Sequence, residues 1–313
     1  MQGVLSYVSL DSLGVLRVRG TDAVSFLQGQ LSNDLRLLGA ARSLLAAYHN
    51  PQGRTVAVLR LVELAPADLL AILPRELVGP VVARMSKFIL RAKVKLSDES
   101  ADWSIAGVVA SGGPHVQPPA AALPAALNAV ARADSSIAVR IGTDPARWLT
   151  AQPTEAAAAG PPALPAGAIP LPVTEWERLA VASGEPEVYA ATSEEFVAQM
   201  LNLDVLGAIA FDKGCYTGQE VIARAHYRGR VKRRLQRFAT QVPQALRPGD
   251  ARQLADGRAL KVVRAVQLPD GTSEFLAVAP LAAGAPAADQ AATSADSAAL
   301  EAAPLALPYT LPD

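Results

Sequence analysis

The chain has 313 residues, half of them hydrophobic, few aromatic side chains, and 29 basic against 29 acidic residues. That length accommodates two or three domains with substantial aliphatic cores, and the balanced charge excludes a global field that would recruit nucleic acid or a membrane surface. A single cysteine excludes an internal disulfide and a self-sufficient thiolate metal or cluster site, which points to a reducing, cytoplasmic setting.

The opening M-Q-G-V-L-S-Y lacks the basic and apolar regions of an export signal. The longest apolar stretches, such as residues 205–211, fall short of the ~20 residues that span a bilayer. Alternation over residues 13–18 predicts a strand, and Thr21 or Asp22 then caps a helix carrying Val24, Phe26, Leu27 and Leu31. Asn50, Pro51, Gln52 and Gly53 form a turn signature between apolar runs and predict a hairpin. Residues 69–73 read as a strand, residues 77–90 have helical spacing, and residues 93–96 return to extended structure. Further strands are expected over 103–109 and 137–141, separated by a Pro/Ala segment, with a second breaker-rich connection over 152–172.

Thr174 then caps a predicted helix containing Trp176, Leu179 and Val181 and ending at Gly184. Thr192 with Glu195 has the spacing of a capping box leading into Phe196, Met200 and Leu201. From about residue 231 the pattern becomes short strands with turns at Pro248-Gly249-Asp250, Asp256-Gly257 and Pro269-Asp270-Gly271, a small all-β unit. The Ala-rich piece 282–303 reads as a long mobile loop.

The lone cysteine, Cys215, lies in the turn K-G-C-Y-T-G-Q-E, residues 213–220, with Gly214 and Gly218 on either side. Glycines there allow backbone turns that a Cβ resists. If Gly218 opens a helix over 219–226, the thiol lies just before a helix N-terminus, beside Lys213 and near Arg224, and both influences favour the thiolate. The alternative is a small cysteine packed as an apolar residue. Residues 221–240 hold seven lysines or arginines, one histidine and no acid. This strip suits the carboxylates of a ligand tail or RNA phosphates, with Arg224 and Arg228 nearest the turn. The alternative is a solvated sheet edge, with Arg230 to Arg234 simply surface. His49, His115 and His226 are too scattered to suggest a metal site. Nucleotide and serine-hydrolase motifs are absent from the sequence.

The run K-G-C-Y-T-G-Q-E followed by V-I-A-R-A-H-Y-R-G resembles the signature of the YgfZ family of folate-binding proteins, which includes mitochondrial iron–sulfur assembly factors. G-T-D-A-V-S-F-L-Q-G-Q-L-S-N-D at residues 20–34, N-L-D-V-L-G-A-I-A-F at 202–211 and L-P-Y at 307–309 agree with it. The resemblance implies an α+β fold like the glycine-cleavage T-protein, two mixed α/β domains and a C-terminal β-barrel around a central channel. The corresponding division is 1–100, 101–229 ending in the cysteine motif and intertwined with the first, and 230–313.

It further implies binding of tetrahydrofolate or a one-carbon derivative, and support of the assembly or repair of iron–sulfur client enzymes, among them radical enzymes that modify tRNA. Cys215 is the expected functional thiol. Trp176, just ahead of E-R-L-A-V-A-S-G-E-P, is the expected ring-stacking residue, and Leu13 falls at a second ring-packing position, where leucine cannot stack. Lys213, Gly214, Tyr216, Gly218, Gln219, Glu220, Arg224 and Arg228 complete the expected folate-binding set. Ala182 stands where T-protein relatives carry a carboxylate for the pterin edge. Residues 71–96 contain no aspartate, where aminomethyltransferase relatives place one near the folate amine. A non-enzymatic factor is therefore favoured over an aminomethyl or methyl transferase. A direct tRNA-binding module is the least favoured reading, since only Tyr227 and Phe238 interleave aromatic rings with the basic strip.

Overall fold

Strand Leu13–Arg19 carries Val15, Leu16 and Val18 with no accessible surface, so both its faces are covered and its apolar run is nearly continuous rather than alternating. The structure, a computed structural model, describes residues 4–110, 123–133, 135–157, 168–229, 231–281 and 299–312. The Pro/Ala segment after residue 110 with His115, much of the 152–172 connection, Arg230 and residues 282–298 of the piece expected as a mobile loop lie outside the described residues, while the end of that piece is ordered, with Leu300 in a bridge and Ala302–Leu305 a strand.

Three sheets organise the rest. The first is antiparallel in the order Leu44–His49, Thr55–Ala65, Asp68–Pro74, Leu13–Arg19, Lys95–Asp98. The second runs Ile169–Pro170, Leu5–Ser9, Trp103–Ala110, Ala146–Pro153, Ser136–Thr143, Val130–Ala133, with one parallel pair at Leu5–Ser9 and Ile169–Pro170. The two stack face to face: Val15, Val62, Leu70 and Ile72 of the first meet Ile105, Val109, Val139 and Leu149 of the second in one buried cluster. The first sheet's other face, with Leu16, Leu59, Leu61 and Leu73, packs against helix Arg75–Ser86 and the chain around 196–222. The third sheet is antiparallel in the order Ala251–Gln253, Ala259–Gln267, Ser273–Pro280, Arg233–Thr240, Ala302–Leu305. Phe238, Val262 and Phe275 form its own core, while Leu235, Val263, Leu276 and Val278 join the first sheet's core. The C-terminal unit, expected as a barrel, holds this five-stranded sheet, whose two edges meet at a bridge between Leu254 and Leu300, with the Leu300 N–H donating to Gln253 O at 2.7 Å.

Most elements fall where the pattern predicts them. The first helix is Ala23–Gln28 with Asp22 as N-cap, although the Asp22 carboxylate accepts from the Lys93 N–H instead of capping. The helix expected over 77–90 runs Arg75–Ser86 and leaves Leu90 88% exposed. The helix carrying Trp176 is Val173–Ala182, with Pro172 rather than Thr174 at its N-cap. The capping box at Thr192 does not form. The Thr192 hydroxyl accepts from the Tyr189 N–H at 2.9 Å, Glu194 is left-handed at φ 65°, and only a short 3-10 turn, Ala198–Leu201, follows. Strand Ala146–Pro153 was not predicted, because a buried arginine and tryptophan on its opposite faces erase the alternation.

Candidate functional site

The cysteine turn is built on the Asn50–Gly53 hairpin. Gly218 opens helix Gln219–Tyr227 at φ 81°, and a Cβ there would lie 2.6 Å from Asn50 O, so conformation and space both demand glycine. Lys213 is buried beneath the turn. Its Nζ donates to the carbonyls of Gln28, Leu31 and Asn33 at 2.6–2.8 Å and lies 5.0 Å from the Tyr216 ring centroid. An ammonium has three protons, so these carbonyls use all of them. Lys213 thus clamps the turn to residues 28–33, and burial pushes its pKa down to about 8. Tyr216 is also buried, and its phenol is pushed up to about 12 by that burial. Cys215 is exposed, together with Gly214, Glu220, Arg224 and Arg228, while Gln219 is half-buried. Beside the turn, Phe211 stacks on His226 at 3.7 Å and Tyr227 is 67% exposed.

The basic strip divides. Arg224, Arg228 and Lys232 are exposed, whereas Arg234, expected at the surface, is buried in a bidentate pair with Asp204 at 2.9–3.0 Å. Arg237 pairs with Glu274 at 2.6 Å. Phe238, expected to interleave with the charges, has no accessible surface and packs on Phe275 inside the third sheet, because its strand position faces the sheet's core.

A cavity of about 160 Å³ lies where the sheets converge, walled by Leu13, Leu45, Val58, Leu59, Ile72 and Leu149, with Arg60, Glu185, Glu187 and Arg264 as its charged groups. A smaller cavity of about 70 Å³ shares Leu13, Ile141, Leu149, Glu185, Glu187 and Arg264 with it and adds Trp176 and Arg147. Trp176 and Leu13 are therefore brought together. The Trp176 indole lies flat on Gly107, whose hypothetical Cβ would be 2.6 Å from ring carbons, and the Arg147 guanidinium carbon is 5.5 Å from the ring centroid. Arg147 is fully buried and donates to Ser183 Oγ at 2.5 Å and Glu185 Oε1 at 3.0 Å. Arg264 pairs with Glu177 at 2.8 Å and with Glu187 at 3.5 Å, and Glu187 also accepts from the Tyr189 hydroxyl at 2.6 Å. Burial together with the neighbouring carboxylates raises the Tyr189 pKa well above its ordinary value.

Neither cavity wall includes any residue of the cysteine turn, nor Arg224 or Arg228. Conversely, Arg60, Arg147, Glu187 and Arg264 escaped the sequence reading. The available signal was a charged residue inside an otherwise apolar strand run, as in V-A-V-L-R-L-V around Arg60. Glu185 lies within the segment after Trp176, three positions beyond Ala182, and supplies a carboxylate to the cavity wall.

The stretches that carry the family resemblance interlock. Ser32 and Asn33 donate to the carbonyls of Ala208 and Gly207, Lys213 reaches back to 28–33, and Asn202 donates to the hydroxyl of Tyr309. That hydroxyl in turn donates to Gly184 O at 2.8 Å, closing the end of the Trp176 helix.

No family model matches the chain. A tRNA-modifying protein YgfZ of Yersinia pseudotuberculosis is 31% identical over 273 residues, covering 86% of this chain and 82% of the relative. A tRNA-modifying protein YgfZ of Klebsiella pneumoniae is 32% identical over 276 residues, covering 85% and 83%. The glycine cleavage system aminomethyltransferase T from Bartonella henselae superposes with a TM-score of 0.68 at 15% identity, over 89% of this chain and 79% of that one. The fold is thus T-protein-like, with mixed sheets and few helices. No helix among the described residues is long and apolar enough to cross a membrane.

Proposed function

The chain belongs to the YgfZ family of tRNA-modifying proteins, and from that premise we propose that it is a cytoplasmic tetrahydrofolate-binding factor supporting the assembly or repair of iron–sulfur enzymes, tRNA-modifying ones among them. The observation that carries the reading is Trp176, set at the wall of a cavity where the three sheets converge. The side chains there suit a reduced folate. An indole offers a face to an aromatic ring, Glu185 and Glu187 offer acceptors to the N–H edge of a pterin, and leucine and isoleucine walls exclude water from the ring system. Leu13 packs at the ring rather than stacking on it. When bound, the folate supplies a one-carbon carrier.

Cys215, exposed on a turn held rigidly by Lys213, Tyr216 and Gly218, is the group available to a client. Its sulfur suits iron ligation or thiol exchange. The lysine and tyrosine of the turn act as its support, and Arg224, Arg228, Gln219 and Glu220 form its exposed surround.

The test pairs two measurements. Tetrahydrofolate is expected to quench Trp176 fluorescence with Cys215→Ala binding it as tightly as wild type. The same variant is expected to leave iron–sulfur enzyme activity unrestored in a deletion strain that wild type rescues. Full rescue by Cys215→Ala would sink the thiol's role, and absence of quenching would sink the folate site.

A further inference from the structure

The charges of the cavity wall balance in number but are not all paired. Arg147 is held by Glu185 and Ser183, and Arg264 by Glu177 and Glu187. Arg60 is different. Among the described residues no carboxylate lies within ion-pair distance of it, and its guanidinium donates to the neutral Asn128 Oδ1 at 2.5 Å. It is deeply set yet keeps accessible surface, and it lines the larger cavity among Leu45, Val58, Leu59 and Leu206. Burial pulls its pKa below the ordinary arginine value, with Glu185 opposing from a distance. A guanidinium left without an anion in apolar surroundings is costly, and a carboxylate delivered by a ligand offsets that cost through two parallel hydrogen bonds.

The fork is also fixed in place. Asn128 adopts a left-handed conformation at φ 63°, its carbonyl accepts from the Ser43 N–H at 2.8 Å, and its own N–H donates to Arg140 O at 2.9 Å. It therefore ties the edge of the first sheet to the second and aims Arg60 from a rigid support. Trp176 belongs to the smaller cavity and Arg60 to the larger, with Leu13 and Leu149 common to both.

We propose that Arg60 is the anion-binding residue of this cavity, taking a carboxylate of the glutamate end of the folate while the ring system lies toward Trp176. The assignment rests on the folate reading above. It gives the ligand a direction, and it moves the acid-binding role from the exposed strip at Arg224 and Arg228 to the first sheet.

Calorimetric titration of the full chain with tetrahydrofolate and with its dimethyl ester, which keeps the rings and lacks the carboxylates, tests it. Arg60→Met is expected to weaken tetrahydrofolate at least tenfold, down to the level of the ester, while ester binding changes less than twofold from wild type. Equal weakening of both ligands, or no change in either, overturns the Arg60 assignment and leaves the folate site standing. A wild-type chain that binds no tetrahydrofolate overturns the folate reading and this assignment with it. Should Arg60→Met fail to fold, Arg60→Lys decides. It keeps the charge and loses the fork, so a loss of threefold or more for tetrahydrofolate alone supports the assignment, and unchanged binding overturns it.

Discussion

His49 has no accessible surface, and neither ring nitrogen finds a hydrogen-bond partner, an arrangement that only the neutral ring tolerates. Burial accordingly pulls its pKa from 6.5 to about 3. The unfolded chain takes up this proton first, so the stability linked to His49 is full above about pH 6.5 and is lost progressively as pH falls toward 3. Between pH 6.5 and 4.5 that loss amounts to roughly 2–3 kcal/mol. His49→Leu is expected to flatten this limb, which urea denaturation of both proteins at the two pH values would measure; parallel limbs would show that other groups govern acid unfolding. Because His49 sits under Gly218, the cysteine turn is the part expected to loosen first in acid.

Helix Val173–Ala182 and strand Trp103–Ala110 meet through one contact that leaves no room for change, the Trp176 ring on Gly107. Gly107→Ala introduces a methyl group at 2.6 Å from the indole, so the helix must shift. The expected cost is about 1–3 kcal/mol of overpacking, read as a lowered denaturation midpoint together with a shifted tryptophan emission maximum. An unmoved emission maximum would show that the ring does not yield. Sequence pattern announced both of these elements, because tryptophan, leucine and valine recur at helical spacing in one and apolar residues run continuously in the other. It also announced the glycine-flanked cysteine turn, through local chemistry alone. The partnership of Trp176 with Gly107, and of the turn with Asn50, was illegible, since such contacts join residues far apart and leave no periodic trace. The same holds for Arg60 and Arg147, whose charges interrupt strand patterns for reasons visible only once the sheets converge.

On the scale of the molecule, the third sheet is tied to the rest by Arg264, buried between Glu177 of the Trp176 helix and Glu187 of the following segment. Removing one member of such a cluster strands the others. Arg264→Met is expected to destabilise the chain by about 3 kcal/mol and to weaken ligand binding at the shared cavity wall. Chemical denaturation and titration check the two effects, and a variant as stable as wild type would show that the third sheet is held chiefly by its apolar face. The sheets are also interwoven by connectivity. Strand Leu5–Ser9 pairs with residues 106–110 and 169–170, and does not enter the sheet formed by the strands that follow it. During synthesis this segment therefore waits, its hydrogen-bonding edge unpaired, until its partner strand, which begins to pair at Ala106, has left the ribosome. The chain thus passes through a vulnerable interval, in which a chaperone has an exposed strand to hold.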